Sequence, residues 1–264
     1  LSASGRERRF QACNFATRRP QGFSEEEIGV LARVAEDLAA PLAVVTGRRM
    51  ARDILAAYLG RGVAPRVLSG EITRGSGEAV SAAILTTDMR GFTALADRLP
   101  GPRVIEILNA WFSGQVEAVH ARGGEVLKFM GDGMLAIFPF RDDASAARAA
   151  ASALAAARAS LDWARAMDAD PAFADARPLR AVAALHAGEV FHGNIGAPDR
   201  LDFTAIGPGL NLVARLEALA KALGRDLVLS ADFAALCEGR FESLGRHALR
   251  GVAAPVEAFA CAPG

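Results

Sequence analysis

Residues 125–138, EVLKFMGDGMLAIF, form two apolar runs joined by Met-Gly-Asp-Gly. Glycines on either side of an aspartate supply the backbone freedom of a tight turn, so the stretch reads as a β-hairpin. A hairpin commits this part of the chain to a sheet, and two charged residues break its apolar pattern. Desolvating an unpaired ammonium costs several kcal/mol, so something must meet the charge of Lys128. Asp132, at the turn, needs its own reason.

The flanking sequence sets what covers that sheet. SAAILTTD (81–88) is a strand ending in an acidic residue, and MRGFTALADRL opens a helix. Residues 102–124 carry Val104, Ile105, Leu108, Trp111, Phe112, Val116 and Val119 at helical spacing, a core stripe with no cofactor role implied. Asp142 to Met167 is an alanine-rich helix of good intrinsic propensity. LRAVAALHAGEVFHGNIG (179–196) is a strand with a possible hairpin, DFTAIG (202–207) a short strand, and PGLNLVARLEALAKAL (208–223) a helix. RDLVLSADFAALC, RFESLGRHAL and PVEAFAC supply the last strands and a short helix. The order β-α-α-β-β-α-β-β-α-β-α-β-β predicts an α/β fold with a mixed sheet covered by helices on one or both faces.

Upstream, residues 23–58 read as a signalling or dimerisation helix. Ser24 and Glu27 make a capping-box pattern at its start. Ile28, Leu31, Val34, Leu38, Leu42 and Val45 form one apolar stripe, suited to packing on its own domain or to parallel pairing with a second chain. Pro41 is expected to kink or interrupt it. Residues 59–80 are glycine-rich and read as a linker with a short strand or turn. Residues 1–22, with Arg6, Arg8, Arg9, Arg18 and Arg19 around Phe10 and Phe15, read as the tail of a truncated upstream region. Because the first residue is Leu1 rather than Met, the chain reads as a piece of a longer protein with a sensor region expected upstream, and membrane attachment through that region stays open.

Lys+Arg and Asp+Glu both number 30, so no net field recruits nucleic acid or anionic lipid. The cysteines, Cys13, Cys237 and Cys261, are odd in number and share no CxxC spacing, which disfavours a disulfide framework or a zinc site and fits a reducing cytoplasmic setting. No apolar run approaches the ~20 residues of a bilayer span.

Alone, Asp88 is an ordinary helix cap and Asp132 an ordinary turn residue. Together they stand at a strand's carboxyl end and a hairpin tip, and they approach each other if the strands are neighbours. Paired hard carboxylates without a His/Cys set suit Mg²⁺ or Mn²⁺ held jointly with a phosphate. The amides after Asp88, in Arg-Gly-Phe-Thr, sit at a helix start where phosphate oxygens are favoured. His186 and His192 share a strand face but lie ~20 Å apart by the rise per residue, too far for one ion. Gly188, Gly193 and Gly196 are read as turn and packing positions.

Three stretches, TTDMRGFT (86–93), LKFMGDGMLAIF (127–138) and FTAIGPGLNLVARLE (203–217), with HAGEVFHGNIG before the last, resemble the signature stretches of class III nucleotidyl cyclases, in order. The resemblance covers residues 81–262. It implies the mainly antiparallel, ferredoxin-like cyclase fold, and a head-to-tail homodimer with composite sites that turns ATP into cyclic AMP. In that reading Asp88, Asp132 and the Met89 backbone hold two metal ions, while Lys128 and Thr204 of the other chain read the base. Asn211 orients the ribose and Arg215 meets charge at the α-phosphate; Gly91, Phe92, Thr93 and Arg250 hold the other phosphates. Asn211 and Arg215, four apart on a helix, project from one face. Many adenylyl cyclases carry aspartate where this chain has Thr204, which resembles the subgroup pairing lysine with threonine or serine, where bicarbonate stimulation recurs. Pro208 and Gly209 replace an Asp-Thr or Asp-Ala pair common after Ile-Gly, with no loss of chemistry expected. Guanylate cyclase is the nearest alternative, and a catalytically silent nucleotide-binding dimer another.

Overall fold

The computed structural model describes residues 13–60, 62–70, 73, 75–197 and 200–261. Arg6, Arg8, Arg9 and Phe10 of the basic tail, four residues of the glycine-rich stretch (61, 71, 72 and 74) and residue 262 lie outside the described residues. The chain divides into two compact units, with the boundary between Tyr58 and Leu59.

The first unit is dominated by α1 (Glu25–Leu59). Its start is capped as the sequence suggests: Ser24 N–H donates to Glu27 Oε2 at 2.8 Å and Glu27 N–H donates to Ser24 Oγ at 3.3 Å. Arg19 adds an ion pair to Glu27 at 2.6 Å. The helix runs through Pro41 without a break, so the expected interruption does not occur. The carbonyl that proline leaves without a donor, on exposed Asp37, is free to take a water instead. None of α1 is buried, and Ile28, Val34, Leu38 and Val45 of its apolar stripe are exposed.

The second unit runs α2 (Val63–Leu68), β1 (Gly77–Met89), α3 (Phe92–Arg98), α4 (Gly101–His120), β2 (Glu125–Met130), β3 (Gly133–Phe140), α5 (Asp143–Ala169), β4 (Ala181–Ala197), β5 (Arg200–Ile206), α6 (Pro208–Ala222), β6 (Leu227–Ser230), α7 (Ala231–Ala234), β7 (Phe241–His247) and β8 (Val256–Cys261). From β1 onward this is the element order read from the sequence. The glycine-rich stretch holds turns and the first residues of β1, and in addition α2, a helix not expected from the sequence, which buries Val63 and Ala64.

The strands form one sheet in the order β2-β3-β1-β4-β6-β8-β7, with β5 also paired to β4. Only the β4–β6 pairing is parallel among those found for the described residues. Period-two alternation along β1 builds two cores: Ala83 and Leu85 face Trp111, Leu154 and the alanines of α5, while Ala82 and Ile84 face Val213 and Leu216 of α6. The alanines let α5 lie close to the sheet, and its start is locked by a capping box between Asp142 and Ser145. No hairpin opens inside 179–196: β4 continues through Gly188 to Ala197 and pairs antiparallel with β5. Gly193 is a packing position, since a Cβ there would come within 2.3 Å of the Ser76 carbonyl oxygen. His186 and His192 are both buried, and His186 Nδ1 is 2.9 Å from Ser230 Oγ. Among the described residues no helix is long and apolar enough to cross a membrane.

Candidate active site

β1 is the central element of the site. Its even-numbered residues face α6, so at its carboxyl end Thr86 and Asp88 emerge toward that helix rather than toward α4 and α5. Thr86 Oγ1 donates to Glu217 Oε2 at 2.9 Å, and Lys221 Nζ lies 2.8 Å from Asp88 Oδ1 and 2.9 Å from Glu217 Oε1. One lysine on α6 thus bridges its own helix to the strand-end carboxylate.

The hairpin brings the second carboxylate. β3 pairs with β1 in the register Thr87 opposite Met134, which sets the β2–β3 turn beside the end of β1. Gly131 takes a left-handed conformation with φ of 66°, so a two-residue turn carries Asp132 at its tip. Asp132 Oδ2 accepts the Met89 N–H at 3.2 Å, and its carbonyl accepts the indole N–H of fully buried Trp111 at 3.1 Å. Gly133 follows, and a Cβ there would sit 3.2 Å from the Thr87 carbonyl oxygen and 3.4 Å from Asp88 Oδ2.

Burial pushes the Asp88 carboxyl above its ordinary range; the Lys221 contact opposes this and the neighbouring Asp132 charge adds to it. For Lys221, burial works to lower the ammonium's pKa, but hydrogen bonds to Asp88 and Glu217 outweigh it and the net direction is upward. Two crowded carboxylates that attract an ammonium are a suitable seat for a cation. Among the described residues no three His, Cys, Asp or Glu side chains converge as a metal cluster. Any divalent ion here would therefore need oxygens from the backbone or a ligand.

A second grouping lies on β2 and β5. The β2–β3 pairing shifts register between Val126 and Lys128, and Lys128 is exposed beside that bulge. Its Nζ donates to Thr204 Oγ1 on β5 at 3.5 Å, while the neighbouring Phe129 ring packs on Phe112 with centroids 4.2 Å apart. What meets this lysine in the chain itself is a hydroxyl, with no carboxylate found against it among the described residues.

The structure thus joins Asp88, Asp132 and Met89 in one group and Lys128 with Thr204 in another. Asn211 and Arg215 are exposed on the first half of α6. Gly91 caps α3 with φ of 75°, ahead of Phe92 and Thr93, and Arg250 is exposed in the turn between β7 and β8. Reading the sequence missed Glu217, Lys221 and Trp111 as members of the site. The Glu217–Lys221 spacing of four on a helix was an available signal for the pair, though not for its contact with Asp88.

The adenylate and guanylate cyclase catalytic domain family matches residues 76–257. Among curated proteins, the chain is 35% identical over 244 residues to uncharacterized protein Rv1318c and 36% identical over 188 residues to uncharacterized protein Rv1319c, both of Mycobacterium tuberculosis. These matches cover 89% and 70% of this chain but only 41% and 32% of the relatives, so the chain spans well under half their length. Among solved structures, it is similar to a bacterial light-regulated adenylyl cyclase (TM-score 0.68, 27% identity, 86% of this chain and 64% of that one). It is similar also to the guanylyl cyclase Cya2 (TM-score 0.57, 27% identity, 69% of this chain and 92% of that one). With the family's domain matched from just before β1 to the start of β8, and across both residue groups, the chain belongs to the adenylate and guanylate cyclase catalytic domain family.

Proposed function

We propose that this chain is an adenylate cyclase, converting ATP to 3′,5′-cyclic AMP and pyrophosphate in sites shared between two copies. The observation that carries the reading is the meeting of Asp88 and Asp132 at the end of β1, with the Lys221 ammonium already drawn to Asp88. Mg²⁺ or Mn²⁺ ions held there with the Met89 carbonyl would acidify the ribose 3′-hydroxyl and offset charge on the phosphate oxygens.

The protein's own groups do the rest. The bond that forms joins O3′ to the α-phosphorus, and the bond that breaks releases pyrophosphate. Arg215 donates hydrogen bonds where negative charge grows on the α-phosphate, and Asn211 fixes the ribose so that the hydroxyl is in line. The amides of Gly91, Phe92 and Thr93, with Arg250, hold the departing phosphates. Arg215 and Lys221 are six residues apart on α6, about 9 Å along the axis, and Asn211 is about 15 Å from Lys221. That separation from the chain's own Asp88, and the exposure of both residues, support a second copy as the one they serve.

For the base, Lys128 donates to adenine N1 and the Thr204 hydroxyl accepts from the adenine amino group. Their closeness, with no carboxylate found against Lys128 among the described residues, supports adenine over guanine, whose N1–H needs an acceptor. Lysine also donates to guanine O6, so both nucleotides belong in the test. We expect cyclic AMP from ATP with Mn²⁺, little cyclic GMP from GTP, and a loss of ~10²-fold or more in Asp88→Ala, the scale of removing a preorganised electrostatic group. Equal product from variant and parent would sink the carboxylate assignment, and faster turnover of GTP would make the chain a guanylate cyclase.

A further inference from the structure

The Lys221 ammonium occupies the position of a counter-ion. It touches the Asp88 carboxylate at 2.8 Å, where a divalent ion would have to bind, and has a second carboxylate at 2.9 Å in Glu217. Glu217 is itself anchored, because the Thr86 hydroxyl donates to its other oxygen. Both Glu217 and Thr86 are held by elements packed into the core, through the neighbouring Leu216 and Leu85, whereas the lysine side chain is 39% exposed and long enough to move. The geometry is that of a mobile cation with one fixed partner and one shared with the carboxylate pair.

We propose that Lys221 is a positioning residue that sets the divalent-ion affinity of the site: it neutralises Asp88 when no ion is bound and withdraws onto Glu217 when one arrives. The proposal rests on the reading of Asp88 as a metal ligand. It is electrostatic exchange, with no covalent step. Without the lysine, Asp88 and Asp132 face each other uncompensated and take up a divalent ion more readily. Without the Glu217 charge, the lysine has no second seat and competes harder for Asp88. The two substitutions therefore act in opposite directions on ion binding, which merely structural roles for both residues do not produce.

The test is thermal unfolding of the full chain in increasing Mn²⁺ alone, for the parent, Lys221→Gln, Glu217→Gln and Asp88→Asn. In the parent the midpoint should rise with Mn²⁺. Lys221→Gln should start from a lower midpoint and reach half its rise at roughly fivefold less Mn²⁺, the scale of one partly exposed ion pair. Glu217→Gln should need severalfold more Mn²⁺, and Asp88→Asn should lose the response. If Asp88→Asn loses the response while Lys221→Gln needs as much Mn²⁺ as the parent or more, the role of Lys221 is overturned and the metal reading stands. A Glu217→Gln variant that needs less Mn²⁺ than the parent also overturns that role. If the parent shows no response, or Asp88→Asn keeps it, the metal reading itself fails and takes the proposal with it.

Discussion

The two charged residues of the β2–β3 hairpin are held in opposite ways. At the tip, Asp132 is tied through its side chain to the Met89 amide and through its carbonyl to a fully buried tryptophan. Four residues earlier, Lys128 is exposed beside a bulge, with one long contact of 3.5 Å to Thr204. The tip is built by the chain's own core, and such preorganisation is what an electrostatic site needs. The lysine end is left with hydrogen-bonding capacity unspent, which is what a recognition surface needs before its ligand arrives. One short element combines a finished half and a waiting half.

The sharpest way to break that contrast is to test whether the tip carboxylates and Arg215, proposed to serve the substrate from the same side as Lys128, come from different copies. Arg215→Ala alone should lower turnover by ~10²-fold or more. Mixed with the Asp88→Ala chain it should regain activity, because a mixed pair holds one site with both groups intact. Two inactive variants that stay inactive after co-refolding would place both groups in one copy's site. A smaller effect is expected at Lys128. Lys128→Glu should move the ATP-to-GTP rate ratio toward GTP by about tenfold, the scale of one hydrogen bond gained and one lost, with the unfolding midpoint unchanged. A matching fall in stability would show that the lysine end is as much structure as the tip. The smallest change is expected for Trp111→Phe, which removes the indole donor to Asp132 and leaves space behind. It should cost about 1–3 kcal/mol in stability and lower turnover severalfold. Turnover unchanged in that variant would show that Trp111 does not hold the tip in its working position.

Much of this arrangement is legible in the sequence, because local chemistry writes it. The Gly-Asp-Gly turn, the Ser24–Glu27 cap and the alanine-rich α5 each follow from residues within a few positions of one another. So does the order of elements after residue 77. The approach of Asp88 to Asp132 follows once β1 and β3 are neighbours. What is not legible depends on distant partners. Gly188 reads as a turn or packing position, yet β4 runs through it because β1 pairs with β4 from Ala181 to Gly193 and holds the strand extended. The helix α2 hides among glycines, its existence tied to burying Val63 and Ala64. The Lys221–Asp88 pair joins residues far apart in the chain, and α6 shows its Glu-Lys spacing to any reader without saying which strand end will lie beneath it.

Gly133 bears on how such a chain tolerates mutation. Its missing side chain leaves room beside two backbone carbonyls and an Asp88 oxygen, at 3.2 to 3.4 Å from where a Cβ would stand. Every single-base change that alters a glycine codon's meaning adds atoms or stops the chain. At this position the added atoms have only the hairpin backbone and a site carboxylate to push against. A residue with no functional group therefore adds its own constraint on the drift of this sequence.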